Sequence, residues 1–237
     1  MDWLLAPIDP DRAHAVGLII SLHGRVMTLA WVIIAPLAVV IARYLKVTPR
    51  QDWPRQLDNK FWWYAHYWGQ MSVFWLSMIG LGLILTVAAG GTTHGRLGIM
   101  LLGLLLAQVG LGLRRGRKGG PTSADGNPRG DHYDMTPWRV FFEYAHKSLG
   151  YLLILLSVGV VLLGLWQANA PRWMWAMIAL WWAVLICGAA IAQTRGMAID
   201  TYQAIWGPDP KHPGNHRKPI GFGIRQITAR SESDKLT

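Results

Sequence analysis

Five stretches of this chain are each long and apolar enough to cross a bilayer, and that limits its fold more than any other feature. An apolar helix needs about 20 residues to traverse a hydrocarbon core of roughly 30 Å. The sequence predicts such helices over 16–44, 61–89, 94–113, 139–166 and 173–193. Pro36 inside the first is compatible with a transmembrane helix. The short joint Gly90-Gly91-Thr92-Thr93 makes the second and third helices antiparallel neighbours. Residues 114–137, rich in Gly, Pro, Asp and Arg, read as an exposed loop. After Gln193 the chain turns polar, and Pro208, Pro210, Pro213 and Pro219 exclude a long helix there. The expected fold is therefore an all-α integral membrane bundle of five transmembrane helices with a soluble tail. Its segments are 1–15 before the bundle, 16–193 in the membrane and 194–237 as the tail.

Charged residues make up only 15% of the chain, so the formal net charge of +10 has to sit in a few short segments. A nucleic-acid binder can share that charge but would not also carry five spanning runs, and that class is excluded. The single cysteine, Cys187, lies in an apolar segment and offers neither a disulfide framework nor a thiolate metal site. The N-terminus lacks a basic stretch before an apolar core and a small-residue cleavage site, so no cleavable signal peptide is expected.

Basic residues are distributed asymmetrically about the spans. Arg43, Lys46, Arg50, Arg55 and Lys60 follow the first. Arg114, Arg115, Arg117, Lys118, Arg129 and Arg139 lie between the third and fourth, and Arg195, Lys211, Arg217, Lys218, Arg225, Arg230 and Lys235 lie in the tail. The opposite side holds Arg12, Arg25, Arg96 and Arg172. The positive-inside rule then puts the N-terminus outside and the tail in the cytoplasm, which suits an odd number of spans. The localisation expected is a multi-pass protein of the cell inner membrane.

Of the eight histidines, His14 and His132 fall in polar flanks and His212 and His216 in the tail. The other four, His23, His66, His94 and His146, sit near the N-terminal ends of successive apolar helices. Because those helices alternate in direction, His23 and His94 enter from the outer side and His66 and His146 from the cytoplasmic side. Helix rise separates the two levels by roughly 20 Å. An ionisable side chain inside a membrane is a functional hypothesis by default. A lone imidazole is equally well explained by interhelical hydrogen bonding, but four paired by level point to metal ligation. Zinc would want a compact tetrahedral set, whereas two imidazoles at one level suit the axial positions of a haem iron. No CxxCH is present, so the haem would be held without a covalent link.

Gly98 and Gly150 follow His94 and His146 by one turn and can face a flat porphyrin; ordinary small-residue helix packing explains them as well. Gly164 lies far along the fourth helix from His146. Met27 and Gln70 hold the same place after His23 and His66 and are not needed as ligands. The echoed triplets His23-Gly24-Arg25 and His94-Gly95-Arg96 place two guanidinium groups where they can meet haem propionates or an anionic substrate, or snorkel to headgroups. Trp62, Trp63, Tyr64, Trp68, Trp173 and Trp175 cluster near helix ends and read as interfacial anchors.

With those residues in view, the chain resembles the cytochrome b561 family, in particular the five-helix core that follows a DOMON domain in larger relatives. The stretches that carry the resemblance are HGRVMTLAWVIIAPLAVVIARYLK, WWYAHYWGQ, THGRLGIMLLGLLLAQ and RVFFEYAHKSLGY, spread over about residues 20 to 166. The resemblance implies a four-helix dihaem core with two b haems per chain, ligated by His23 with His94 and by His66 with His146. It also implies transmembrane electron transfer, and often a homodimer. From the sequence, no DOMON domain is expected before the core, the loop between the second and third spans is very short, and a polar tail follows. The function expected is electron relay between a cytoplasmic or membrane-pool donor and a partner on the opposite side of the lipid bilayer. A quinol, an ascorbate-like reductant and a soluble redox protein remain open as partners. Two other readings remain: a haem-containing anchor subunit of a larger redox complex, docking through its tail, and a haem-free assembly subunit.

Overall fold

A computed structural model describes residues 2–87, 91–117 and 127–227. Each expected span is a helix: α1 (Leu18–Tyr44), α2 (Phe61–Leu85), α3 (Thr93–Leu113), α4 (Pro137–Gln167) and α5 (Arg172–Thr194). The helix starts follow local chemistry. Thr92 caps α3 by accepting from the Gly95 amide at 3.1 Å, and Thr136 caps α4 with Pro137 in its first turn. The end expected for the second helix at Ala89, the joint residue Gly90, and the basic residues Lys118, Arg230 and Lys235 lie outside the described residues.

α1 packs along α2 and α3 along α4; the middle of α1 touches α4, and α5 lies against the second half of α1. The buried core is shared by the first four helices: Ala30, Trp31 and Ala35 of α1, Val73 of α2, Leu101 and Leu105 of α3, and Leu153 and Val160 of α4. The outward faces carry exposed Trp75, Ile79, Leu155, Leu180 and Ile186. An apolar surface of that extent belongs in lipid, and the chain is a multi-pass membrane protein.

Pro36 leaves a visible mark. Residues Leu29–Ile34 of α1 form a π-helical segment just before it, the wider winding that commonly accommodates a disturbed hydrogen-bond ladder. In a regular helix the Val32 carbonyl would accept from residue 36, which as proline has no N–H. The indole N–H of Trp181 on α5 donates to that carbonyl instead, at 2.8 Å. One tryptophan thereby ties the peripheral helix to the break in α1.

The tail is polar and follows the last span, as expected, but it is not a separate body. Every residue of the short helix Thr201–Trp206 is buried. Lys46 donates to the Ile199 carbonyl at 3.2 Å, Lys147 to the Ile220 carbonyl at 2.7 Å and Gln193 to the Gly223 carbonyl at 2.8 Å. The tail forms a cap over the end of the bundle at which α1 and α5 finish and α2 and α4 begin. At the other end Asn169 holds the N-terminal segment, accepting from the Asp9 amide at 3.0 Å and donating to the Arg12 carbonyl at 2.6 Å.

Candidate functional site: two tiers of paired histidines

The structure brings the four histidines together as the level argument expects. The His23 and His94 rings have centroids 6.2 Å apart and lie nearly perpendicular. His66 and His146 repeat the arrangement, again at 6.2 Å. From His66 to Gly80, the residue of α2 that meets His23, the helix rises roughly 20 Å. The two pairs are thus separate tiers, one toward each end of the four-helix core.

Three of the four rings are oriented by the same device. Nδ1 of His23 lies 2.8 Å from the Gly80 carbonyl, Nδ1 of His94 lies 3.0 Å from that of Val160, and Nδ1 of His66 lies 3.4 Å from that of Ala38. A carbonyl oxygen can only accept, so in each ring the proton sits on Nδ1 and Nε2 keeps its lone pair. That second contact is the usual way a protein fixes a ligating imidazole. His146 differs: its Nδ1 is buried without a hydrogen-bond partner, and its ring stacks on Phe142 with centroids 5.1 Å apart.

The spacing suits a metal held between two rings. An imidazole centroid lies about 1.1 Å from its ring nitrogen and a metal–imidazole bond is about 2.0 Å, so two rings on opposite sides of one metal have centroids roughly 6 Å apart. Among the described residues no group of three or more His, Cys, Asp or Glu side chains is arranged to cage a metal ion alone. Each tier thus presents two imidazoles at a spacing that suits one metal between them.

Glycines shape both tiers, including two that spacing from the histidines did not single out for the ring they meet. A Cβ on Gly164 of α4 would come within 2.9 Å of Cε1 of His94, and one on Gly112 of α3 within 3.8 Å of Cε1 of His146. Gly164 is remote from His146, as its position requires, yet it lies against the other tier. Gly150 packs against Gln108 of α3, whose Nε2 would be 3.1 Å from its Cβ, so it serves helix packing. Gly98 has open space beside it, compatible with either of its readings. Arg25 and Arg96 are exposed, as snorkelling side chains are. Gln70 donates to the Ala35 carbonyl at 3.3 Å and Met27 packs in the core.

Beside the His66–His146 tier stands a cluster that the sequence reading did not identify. Glu143, buried, accepts from Arg139 at 3.0 Å and from Lys147 at 2.7 Å. All three stand on one face of α4 at spacings of four, which was the available signal. His132, placed in a polar flank by its neighbours in sequence, is 1% exposed, accepts from the Trp206 indole on Nδ1 at 3.3 Å, and turns Nε2 toward Glu143. Lys46 is also buried, with only carbonyl partners, and desolvation together with the neighbouring charge of Lys147 lowers its pKa to about 7. Arg115 lies over the Trp63 ring at 5.1 Å; burial, and then the charge of Arg139, lower its pKa as well.

Comparison with known proteins agrees with the resemblance drawn from the sequence. The chain is similar to three Arabidopsis thaliana proteins, each named a cytochrome b561 and DOMON domain-containing protein. It is 29% identical to one over 160 residues, covering 65% of this chain and 34% of that protein. For the others the identity is 27% over 71% of this chain and 26% over 80%, and 36% of each relative is covered. The chain thus spans about a third of the length of these curated relatives. No family model matches the chain, and no solved structure matches it.

Proposed function

We propose that this cytochrome b561-like chain moves single electrons across the bilayer through two b haems, one held by His23 and His94 and the other by His66 and His146. The observation that carries the proposal is the repeated 6.2 Å imidazole pair, one in each half of the bundle. The similarity to cytochrome b561 proteins supports a haem-containing membrane redox protein. A haem bound at each tier would supply the one-electron chemistry of its iron. The protein's own residues do the rest. The carbonyls of Gly80, Val160 and Ala38 hold Nδ1 protonated and aim Nε2. The apolar layer of Trp31, Val73, Leu101 and Leu153 separates the tiers and keeps water from between them. That sleeve of low dielectric favours whichever oxidation state carries less net charge, and so tunes the potential.

In this proposal residues 16–193 are the electron-carrying domain, the N-terminal segment is outside, and the tail caps the cytoplasmic end in the cell inner membrane. Its electron donor is a quinol, an ascorbate-like reductant or a soluble redox protein. The positive-inside asymmetry supports the orientation. Pyridine haemochromogen analysis should give two non-covalent haems per chain. His23→Ala and His94→Ala should lose one spectral component, and His66→Ala and His146→Ala the other. One haem or none, or loss of the same component from His23→Ala and His66→Ala, overturns the reading. A reporter fused at Thr237 tests orientation: activity confined to an outside-only reporter reverses it.

A further inference from the structure

One pocket lies beyond the His66–His146 tier, toward the tail. Its walls include Trp62, Trp63, Arg115, Arg139 and Thr201. Two guanidinium groups line it, with the carboxylates of Glu143 beside Arg139 and of Asp131 behind Gly116. The Arg139 guanidinium is engaged by Glu143, and Glu143 is shared again with Lys147. Arg115 has the Trp63 ring beneath it, but no carboxylate lies within ion-pairing distance of its guanidinium among the described residues. The indole N–H of Trp62 is buried without a hydrogen-bond partner. A half-buried guanidinium with no carboxylate partner among the described residues, beside a second cation and a buried indole N–H without a partner, forms a donor set that an anion can complete.

The pocket is placed by sequence as well as by charge. Trp62 precedes His66 by four residues and Arg139 precedes His146 by seven, so both lie on the histidine faces of their helices, one and two turns toward the helix starts. Arg115 stands just past Gly112, the residue that meets His146. All three donors therefore gather on the same side of the histidine pair, within about 10 Å of it along the helices.

We propose that Arg115 and Trp62, backed by the charge of Arg139, form a carboxylate-binding site that takes a propionate of the haem held by His66 and His146. The inference rests on the function proposed above. Guanidinium forks match carboxylates bidentately, and a propionate held here would help to fix the orientation of a bound haem. The residues that the sequence suggested for such contacts, Arg25 and Arg96, are exposed and belong to the other tier.

The test compares apoprotein loaded with haem b or with its dimethyl ester, which keeps the macrocycle and removes both carboxylates. The readout is affinity at the His66–His146 component. Wild-type protein should prefer haem b by about tenfold or more, the value of a charge-assisted hydrogen bond. In Arg115→Gln and Trp62→Phe that preference should shrink, and Arg115→Lys should retain part of it. In the holoprotein, Arg115→Gln should lower the midpoint potential of that component and leave the other unmoved. Equal discrimination against the ester in wild type and Arg115→Gln, with unchanged potentials, overturns the propionate assignment. If sodium succinate then stabilises wild type but not Arg115→Gln against heat, the carboxylate comes from solution. A preparation that binds no haem, scored separately by pyridine haemochromogen, would be a failure of the proposed function, and the succinate arm would still read the pocket.

Discussion

Gly164 on α4 lies directly against the His94 ring on α3, so closely that the smallest side chain would meet Cε1 at 2.9 Å and Nδ1 at 3.2 Å. The ring cannot yield without losing its hydrogen bond to the Val160 carbonyl, one turn away on the same helix. Gly164→Ala should therefore displace His94 and cost about 1 to 3 kcal/mol, as over-packing does. The component held by His23 and His94 should be lost in preference to the other. Gly159→Ala, on the same helix with open space beside it, should match wild type. The measurement is haem per chain with the two components resolved by redox titration.

Trp181 and Pro36 form a second coupled pair. Trp181→Phe leaves the Val32 carbonyl without its indole donor inside an apolar bundle, at a cost of about 1 to 3 kcal/mol. Pro36→Ala restores a backbone N–H in reach of that carbonyl. The penalty of Trp181→Phe should consequently be smaller in the Pro36→Ala background. Thermal unfolding in detergent of the two single variants and the double variant gives the coupling directly.

Lys46 sets a pH dependence whose sign is fixed by burial. Its folded-state pKa is about 7 against an ordinary 10.5, so between those values the unfolded chain binds more protons. Stability should then rise with pH from about 7 toward 10. The neutral amine still donates to the Ile199 and Arg43 carbonyls. Lys46→Met should lower the baseline by removing those bonds and should flatten the rise. A variant with the wild-type slope would assign the dependence to another group.

Removal of the tail should not be neutral. Truncation after Arg195 takes away the buried Thr201–Trp206 helix and the carbonyls that Lys46 and Lys147 donate to. The expected result is a lower melting temperature, with the His66–His146 component lost before the other. Trp206→Ala, at about 3 to 5 kcal/mol for a buried aromatic, should move in the same direction.

The spans were legible because lipid imposes a minimum length and an apolar composition on every crossing segment, and α1 to α5 meet both. The histidine pairs were legible because antiparallel order converts position along the chain into depth. What escaped the sequence depends on lateral neighbours. Gly164 and Gly150 look alike on one helix, and only the rotation of α3 against α4 decides which meets an imidazole and which meets Gln108. The same holds for His132: polar neighbours in sequence suggested exposure, and the fold of the tail buried it. Pro-rich polar residues after Gln193 showed that no long helix follows, but a cap held through its backbone carbonyls leaves no side-chain pattern to read.

The reciprocal seating on α3 and α4 has a consequence for how the protein can change over time. Each helix carries an imidazole toward one end and, toward the other, the glycine that meets its neighbour's imidazole. Both tiers are therefore indexed to a single alignment of two rods. A substitution at one glycine is felt at one tier, but a residue inserted between His94 and Gly112 would rotate and lift one end of α3 relative to the other by roughly 100° and 1.5 Å. Neither tier could then be seated without unseating its counterpart. The stretch between those positions should tolerate exchanges of apolar residues while resisting any change in its length.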